Sequence, residues 1–140
     1  MAEGSEIFVL KALESLSSAQ SEFSNRRFNR SVNRRYYACF HAAAAALIQE
    51  GPQPRSPSGQ LRHEAVHGQF VGELLNRRHR FPSELRTTLA LNQALRQTAD
   101  YEEAMVSQTQ AARALRRSEQ FVDAVTSARG GRRFGYEHRT

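Results

Sequence analysis

Residues 29–49, NRSVNRRYYACFHAAAAALIQ, constrain the fold of this chain more than any other stretch. At the rise of an α-helix they make about six turns. Tyr36, Phe40, Ala44 and Leu47 follow the 4, 4, 3 spacing of a buried seam. A second stripe carries Arg30, Arg34, Tyr37 and His41. Arg34 and His41 leave the axis roughly 20° apart in direction and about 10.5 Å apart in height, a gap a folded-back arginine largely spans. No acidic residue occurs from Ser24 to Gln49, whereas Arg26, Arg27, Arg30, Arg34 and Arg35 crowd the entry. The stretch therefore predicts a helix that buries one face and offers a cation and an imidazole on the other.

A chain of 140 residues is one domain by size, with the helical body expected over 1–129 and a flexible basic tail over 130–140. Hydrophobic residues make up only 39%, part of them alanine, so the core is thin and a dimer would help it. The net charge of +6 favours an anionic partner such as RNA. Arginine supplies 19 of the 20 basic residues, and its planar fork suits phosphate better than lysine does. The single cysteine, Cys39, excludes an intrachain disulfide and reads as a small buried hydrophobe in a reducing compartment. With neither a signal-peptide pattern nor a membrane-length apolar run, the expected location is cytoplasmic, with no membrane partner.

In chain order, residues 5–25 carry Val9, Leu13, Leu16 and Phe23 at helical spacing. An arginine-rich turn follows over 24–29, with Asn29 or Ser31 as the expected cap of the central helix. That helix should end near Gly51, before the loop PQPRSPSG at 52–59. Helical spacing resumes over 63–76 (Val66, Phe70, Leu74) and over 83–98 (Leu85, Leu89, Leu95). Residues 99–105 interrupt the pattern. Ser107 with Gln110 resembles a capping box, and Ala111, Leu115, Ser118, Val122 and Val125 continue a last helix to Arg129. With no convincing strand, the fold class is all-α: an antiparallel bundle of four main helices plus a short extra one.

Other motifs read more plainly. His63-Glu64-Ala65-Val66-His67 matches His-Glu-x-x-His literally, but a zinc site needs a third ligand, and no pattern supports one; no metal is expected. Arg77, Arg78, His79 and Arg80, like the tail arginines, read as solvated charge. Asp100 and Tyr101 read as a tie between the last two helices.

The segment NRRYYACFHAAAAALI resembles the signature helix of the HEPN superfamily, and most of all its short stand-alone members with an Arg-x-Tyr-Tyr-Ala-x-Phe-His-Ala-Ala core. That core falls here on Arg34, Tyr36, Tyr37, Ala38, Phe40, His41, Ala42 and Ala43. His63, Val66 and Phe70, then Arg96, Ala99, Asp100 and Tyr101, match two further segments, so the likeness covers roughly residues 5 to 127. The resemblance implies a HEPN-like bundle, a homodimer with its central helices at a shared cleft, and a metal-independent endoribonuclease of toxin–antitoxin or defence type, with no cofactor. Arg34 and His41 would be the catalytic pair, with Arg30, Tyr37 and Arg35 at the substrate. His41 would take the 2′-hydroxyl proton, Arg34 would hold the phosphate, and the second subunit's His41 would protonate the leaving oxygen. The other reading is a non-catalytic helical module for a nucleotidyltransferase, antitoxin or other defence partner. The tyrosine that such transferases modify, two residues after the histidine, is replaced by Ala43.

Overall fold

The computed structural model describes residues 4–51, 62–101 and 105–127, and among these the regular structure is entirely helical. The elements are α1 (Ser5–Ser24), α2 (Phe28–Glu50), α3 (His63–Gln69), a π-helical segment continuing it (Phe70–Arg77), α4 (Leu85–Tyr101) and α5 (Gln108–Ser127). The loop at 52–59 and the tail at 130–140 lie outside the described residues.

Helix α2 touches every other element and forms the axis of the bundle. Alanine is the best helix former and the smallest side chain that still covers the backbone, so neighbouring helices can approach closely along the run Ala42, Ala43, Ala44, Ala45 and Ala46. All five are buried, as are Tyr36, Phe40 and Leu47 of the expected seam. Helices α1 and α2 form an antiparallel hairpin pinned near both ends. The Ser31 hydroxyl donates to the Ala19 carbonyl at 2.8 Å, and the Ser5 hydroxyl donates to the Ala45 carbonyl at 3.1 Å.

Those bonds explain a departure from expectation. α2 starts at Phe28 without a side-chain cap. Ser31 is spent on α1, and the Asn29 side-chain oxygen accepts from the Val106 N–H at 3.0 Å, anchoring the approach to α5. At the other end Gly51 adopts φ 118°, a left-handed conformation that lets its N–H reach the Leu47 carbonyl at 3.0 Å. Two members of the basic cluster close this terminus and are not simply solvated. Arg78 donates to the Glu50 carbonyl at 3.0 Å, and Arg80 pairs with the Glu50 carboxylate at 2.9 Å. Cations there also complement the helix dipole.

The segment expected as one helix over 63–76 changes pitch at Phe70, where i→i+5 bonding takes over. Val66, Phe70, Leu74 and Leu75 are buried. Phe70 lies against Phe81 and Phe121 at 5.6 and 5.4 Å, joining this segment to α5. Helix α4 runs through Tyr101, beyond the expected break at 99. The capping box forms in full: the Ser107 N–H donates to Gln110 at 2.9 Å, and the Gln110 N–H donates to the Ser107 hydroxyl at 3.1 Å. Ser107→Ala should cost about 1 kcal/mol, read as a lower urea midpoint at unchanged m-value.

Candidate active site

The stripe on α2 emerges on the side where α1, α3 and α4 leave it partly uncovered. Arg30 and Arg34 are exposed, whereas Tyr37 and His41 are half-buried. Tyr37 is the hub. The Arg34 guanidinium lies 5.8 Å from its ring centre and that of Arg96, from α4, at 5.7 Å. The His41 ring centre is 6.2 Å away and that of His63, at the start of α3, 5.7 Å. Three helices thus bring two permanent cations and two imidazoles around one aromatic ring.

Local bonds hold each member. Arg34 donates from Nη2 to the Asn33 side-chain oxygen at 2.6 Å. Asn33 in turn donates to the Asp100 carboxylate at 3.3 Å, and Asp100 pairs with Arg96 at 3.2 Å. Asp100 therefore ties α4 back to α2, not to α5 as its place before the last helix suggested; Tyr101 projects outward, 73% exposed. Arg96 also lies over the buried Tyr36 ring at 4.6 Å. His63 stacks on Phe40 at 4.2 Å, and its Nδ1 is 2.7 Å from the Tyr36 hydroxyl. Burial pushes the Tyr36 pKa up to about 12, so this hydroxyl keeps its proton at neutral pH.

His41 stacks on Phe8 of α1 at 5.7 Å. Its Nδ1 is enclosed: the Tyr37 carbonyl nearby raises its basicity slightly but closes no hydrogen bond, being committed to the helix ladder. Burial, reinforced by the positive charge of Lys11 and by His63, holds the His41 pKa below its ordinary value. Burial and Arg96 lower that of His63. Both imidazoles are accordingly neutral at neutral pH. His67, edge-on to Tyr36 and Phe40, is pushed down to about 4 by burial, His63 and Arg96. A histidine that resists protonation when folded stabilises the protein above its unfolded pKa near 6.5, and that stability is lost as pH falls toward 4. The urea midpoint should drop over this window, and His67→Gln should flatten the fall.

An open cleft of about 500 Å³ lies between α1, α2 and α4, with Arg30, Arg34, Asn33, Asp100 and Glu22 on its walls. It takes in the arginine end of the stripe but not His41, two turns further along α2. Arg30 faces Glu22 across it at 3.9 Å. Arg35 is not part of this surface. It is fully buried on the other side of α2 and donates to the Asn92 side-chain oxygen at 3.2 Å, which corrects its expected place at the substrate. The cause is angular: one residue along a helix rotates the side chain by about 100°. Among the described residues no group of three or more His, Cys, Asp or Glu is placed to hold a metal, and His63 Nδ1 is already engaged by Tyr36.

A family model described as the HEPN domain matches residues 5–128, nearly all of the helical body. The chain belongs to the HEPN family. Among similar proteins, "UPF0332 protein PH1297" of Pyrococcus horikoshii is 43% identical over 54 residues, covering 39% of this chain and 38% of that protein. "Putative toxin MJ0605" of Methanocaldococcus jannaschii is 28% identical over 120 residues, covering 84% of this chain and 82% of that protein. This chain thus matches well under half the length of the first relative and most of the second. No helix among the described residues is long and apolar enough to cross a membrane. Arg34, Tyr37 and His41, from the segment that carried the resemblance, share the Tyr37 cluster. His63 and Arg96 complete it from the two other segments that carried the resemblance. Sequence spacing gave them no role because they lie 26 and 59 positions from Tyr37.

Proposed function

We propose that this HEPN protein is a metal-independent endoribonuclease, acting on RNA as a toxin or defence effector, with its site at Tyr37. The supporting observation is the set of two guanidinium groups and two neutral imidazoles around that ring. Arg34 holds the scissile phosphate and stabilises the charge that develops on it. Neutral His41 takes the proton of the 2′-hydroxyl, whose oxygen bonds to phosphorus while the bond to the 5′-oxygen breaks. In this reading the proton for the leaving oxygen comes from His63 of the same chain, from the fraction of that imidazole that becomes protonated as the pH falls toward its lowered pKa. The Tyr36 hydroxyl fixes that ring through Nδ1 and leaves Nε2 for substrate. The products carry a 2′,3′-cyclic phosphate and a 5′-hydroxyl. Arg30 extends the path for RNA along the cleft. The toxin name of the Methanocaldococcus relative supports the biological side of this reading.

A homodimer belongs to the proposal. Ile7, Leu10 and Leu13 of α1 are 51%, 62% and 45% exposed and form an apolar strip beside the helix face that carries Phe8 and Lys11, where a second copy would cover it. One observation favours the second reading, a non-catalytic module that docks a nucleotidyltransferase, antitoxin or other defence partner: His41 is half covered by Phe8, with only part of its ring free. Incubation of the purified protein with mixed single-stranded RNA in EDTA separates the two. Cleavage leaving cyclic phosphate ends supports the nuclease; intact RNA at high protein concentration supports the module.

A further inference from the structure

Asp100 is an acidic residue in a place that two effects oppose. It lies in the last turn of α4, where the helix dipole disfavours an anion. It also forms part of the wall of the cleft that holds Arg30 and Arg34, where a carboxylate repels the phosphates those arginines attract. Its contacts show what offsets these costs. Asp100 pairs with Arg96 at 3.2 Å and accepts from the Asn33 amide at 3.3 and 3.4 Å, one distance to each oxygen. The Asn33 oxygen, on the far side of the same amide, accepts from Arg34 through Nη2 at 2.6 Å and through Nε at 3.2 Å. Asp100 thus stands directly against one of the two guanidinium groups at the Tyr37 ring and one amide away from the other.

Helix geometry alone would not keep Arg34 in that position. Neighbours along a helix point about 100° apart, so adjacent side chains do not face one another. Arg34 is also exposed, and a bond to a freely turning amide would compete with water. The Asn33 amide is not free to turn. A carboxylate only accepts and a guanidinium only donates, so the amide satisfies both when its NH2 faces Asp100 and its oxygen faces Arg34. Turned over, it would set oxygen against carboxylate and N–H against N–H. Asp100→Asn would lift that constraint, since an amide at this position offers both a donor and an acceptor.

We propose that Asp100 is a positioning residue for cleavage: through the Asn33 amide it holds the Arg34 guanidinium at the Tyr37 ring, and the same carboxylate fixes Arg96. The proposal rests on the reading of Arg34 as the group that holds the scissile phosphate. Asp100 itself touches no substrate. It spares the reaction the cost of ordering a long, exposed side chain when RNA arrives.

Two measurements on the whole chain test this, the first of them without RNA. Nitrogen relaxation of the Arg34 Nε–H group, assigned by its absence in Arg34→Lys, should report an ordered side chain in the wild type. Asp100→Ala and Asn33→Ala should each make it mobile while backbone relaxation stays unchanged, and Asp100→Asn should fall between. In steady-state cleavage of single-stranded RNA, Asp100→Ala should lower kcat by up to about 10²-fold, the cost of a misplacement near 1 Å. KM should change far less, because Arg34 acts on charge that develops in the transition state. Since both residues act through one amide, Asn33→Ala/Asp100→Ala should be no slower than the slower single variant. A merely structural role would lower the urea midpoint, leave Arg34 ordered and give losses that multiply. The proposal is overturned if Arg34 stays ordered in folded Asp100→Ala, or if the two losses in kcat multiply. Should the wild type leave RNA intact, the nuclease reading falls, and the order of Arg34 still decides whether Asp100 positions it.

Discussion

His41→Ala should lower RNA cleavage in EDTA by about 10²- to 10⁴-fold, the range contributed by a positioned general base. The substitution removes a ring held on one face by Phe8, leaving the core phenylalanines in place, so the variant should stay folded. Arg34→Ala should cost as much or more. Arg34→Lys should recover only part of it, because a lysine cannot reproduce the fork that reaches both substrate and Asn33. The pH profile of kcat/KM offers a sharper test. On the proposed mechanism it is a bell, falling on the acid side as His41 protonates and on the alkaline side as His63 loses its proton. Both pKa values are held below the ordinary histidine value, so the optimum should lie on the acid side of 6.5. His63→Gln should flatten the alkaline limb only. Cleavage that is equal in wild type and His41→Ala, or that follows added divalent metal, would sink the assignment.

Phe70→Ala should destabilise the protein by about 3–5 kcal/mol, the usual range for emptying a fully buried phenylalanine site. Phe70 meets Phe81 and Phe121 in the same core cluster as the alanine run, where these large rings fill the space that the alanines leave. A domain of this size has about 5–15 kcal/mol in total, so one such cavity removes a large share. The loss should appear as a lower urea midpoint. Leu10→Ala, at a site 62% exposed, should change stability little in the monomer. Because His63 precedes Phe70 by two turns on the same run, RNA cleavage by Phe70→Ala should also fall more steeply with temperature than wild type. An unfolding free energy within about 1 kcal/mol of wild type would contradict this packing.

Much of the fold was legible in local spacing. The seam of Tyr36, Phe40, Ala44 and Leu47 is buried as its periodicity required, and the Ser107–Gln110 box caps α5 as its four-residue pattern required. Both signals are short-range, and helix geometry alone fixes them. The same geometry placed Arg34, Tyr37 and His41 on one stripe. Where Ser31 and Asn29 spend their hydrogen bonds was not legible, since Ala19 and Val106 are their partners only after the helices pack. The fate of Arg35 was hidden for the same reason. Beside Arg34 in sequence it reads as one more cation of a basic cluster, yet it points into the bundle against Asn92 of α4.

By itself, then, the sequence determined an all-α chain built on one alanine-rich helix, with an arginine and a histidine two turns apart on its open face. Periodicity is a property of neighbours along the chain, and it needs no partner to be read. Only the tertiary structure brought His63 and Arg96 to the Tyr37 ring, turned Asp100 back toward Asn33, and buried Arg35 near Arg117 with no carboxylate paired to either among the described residues. Those are contacts between residues tens of positions apart, set by how α2, α3, α4 and α5 pack, and no local pattern encodes which cations that packing leaves unpaired.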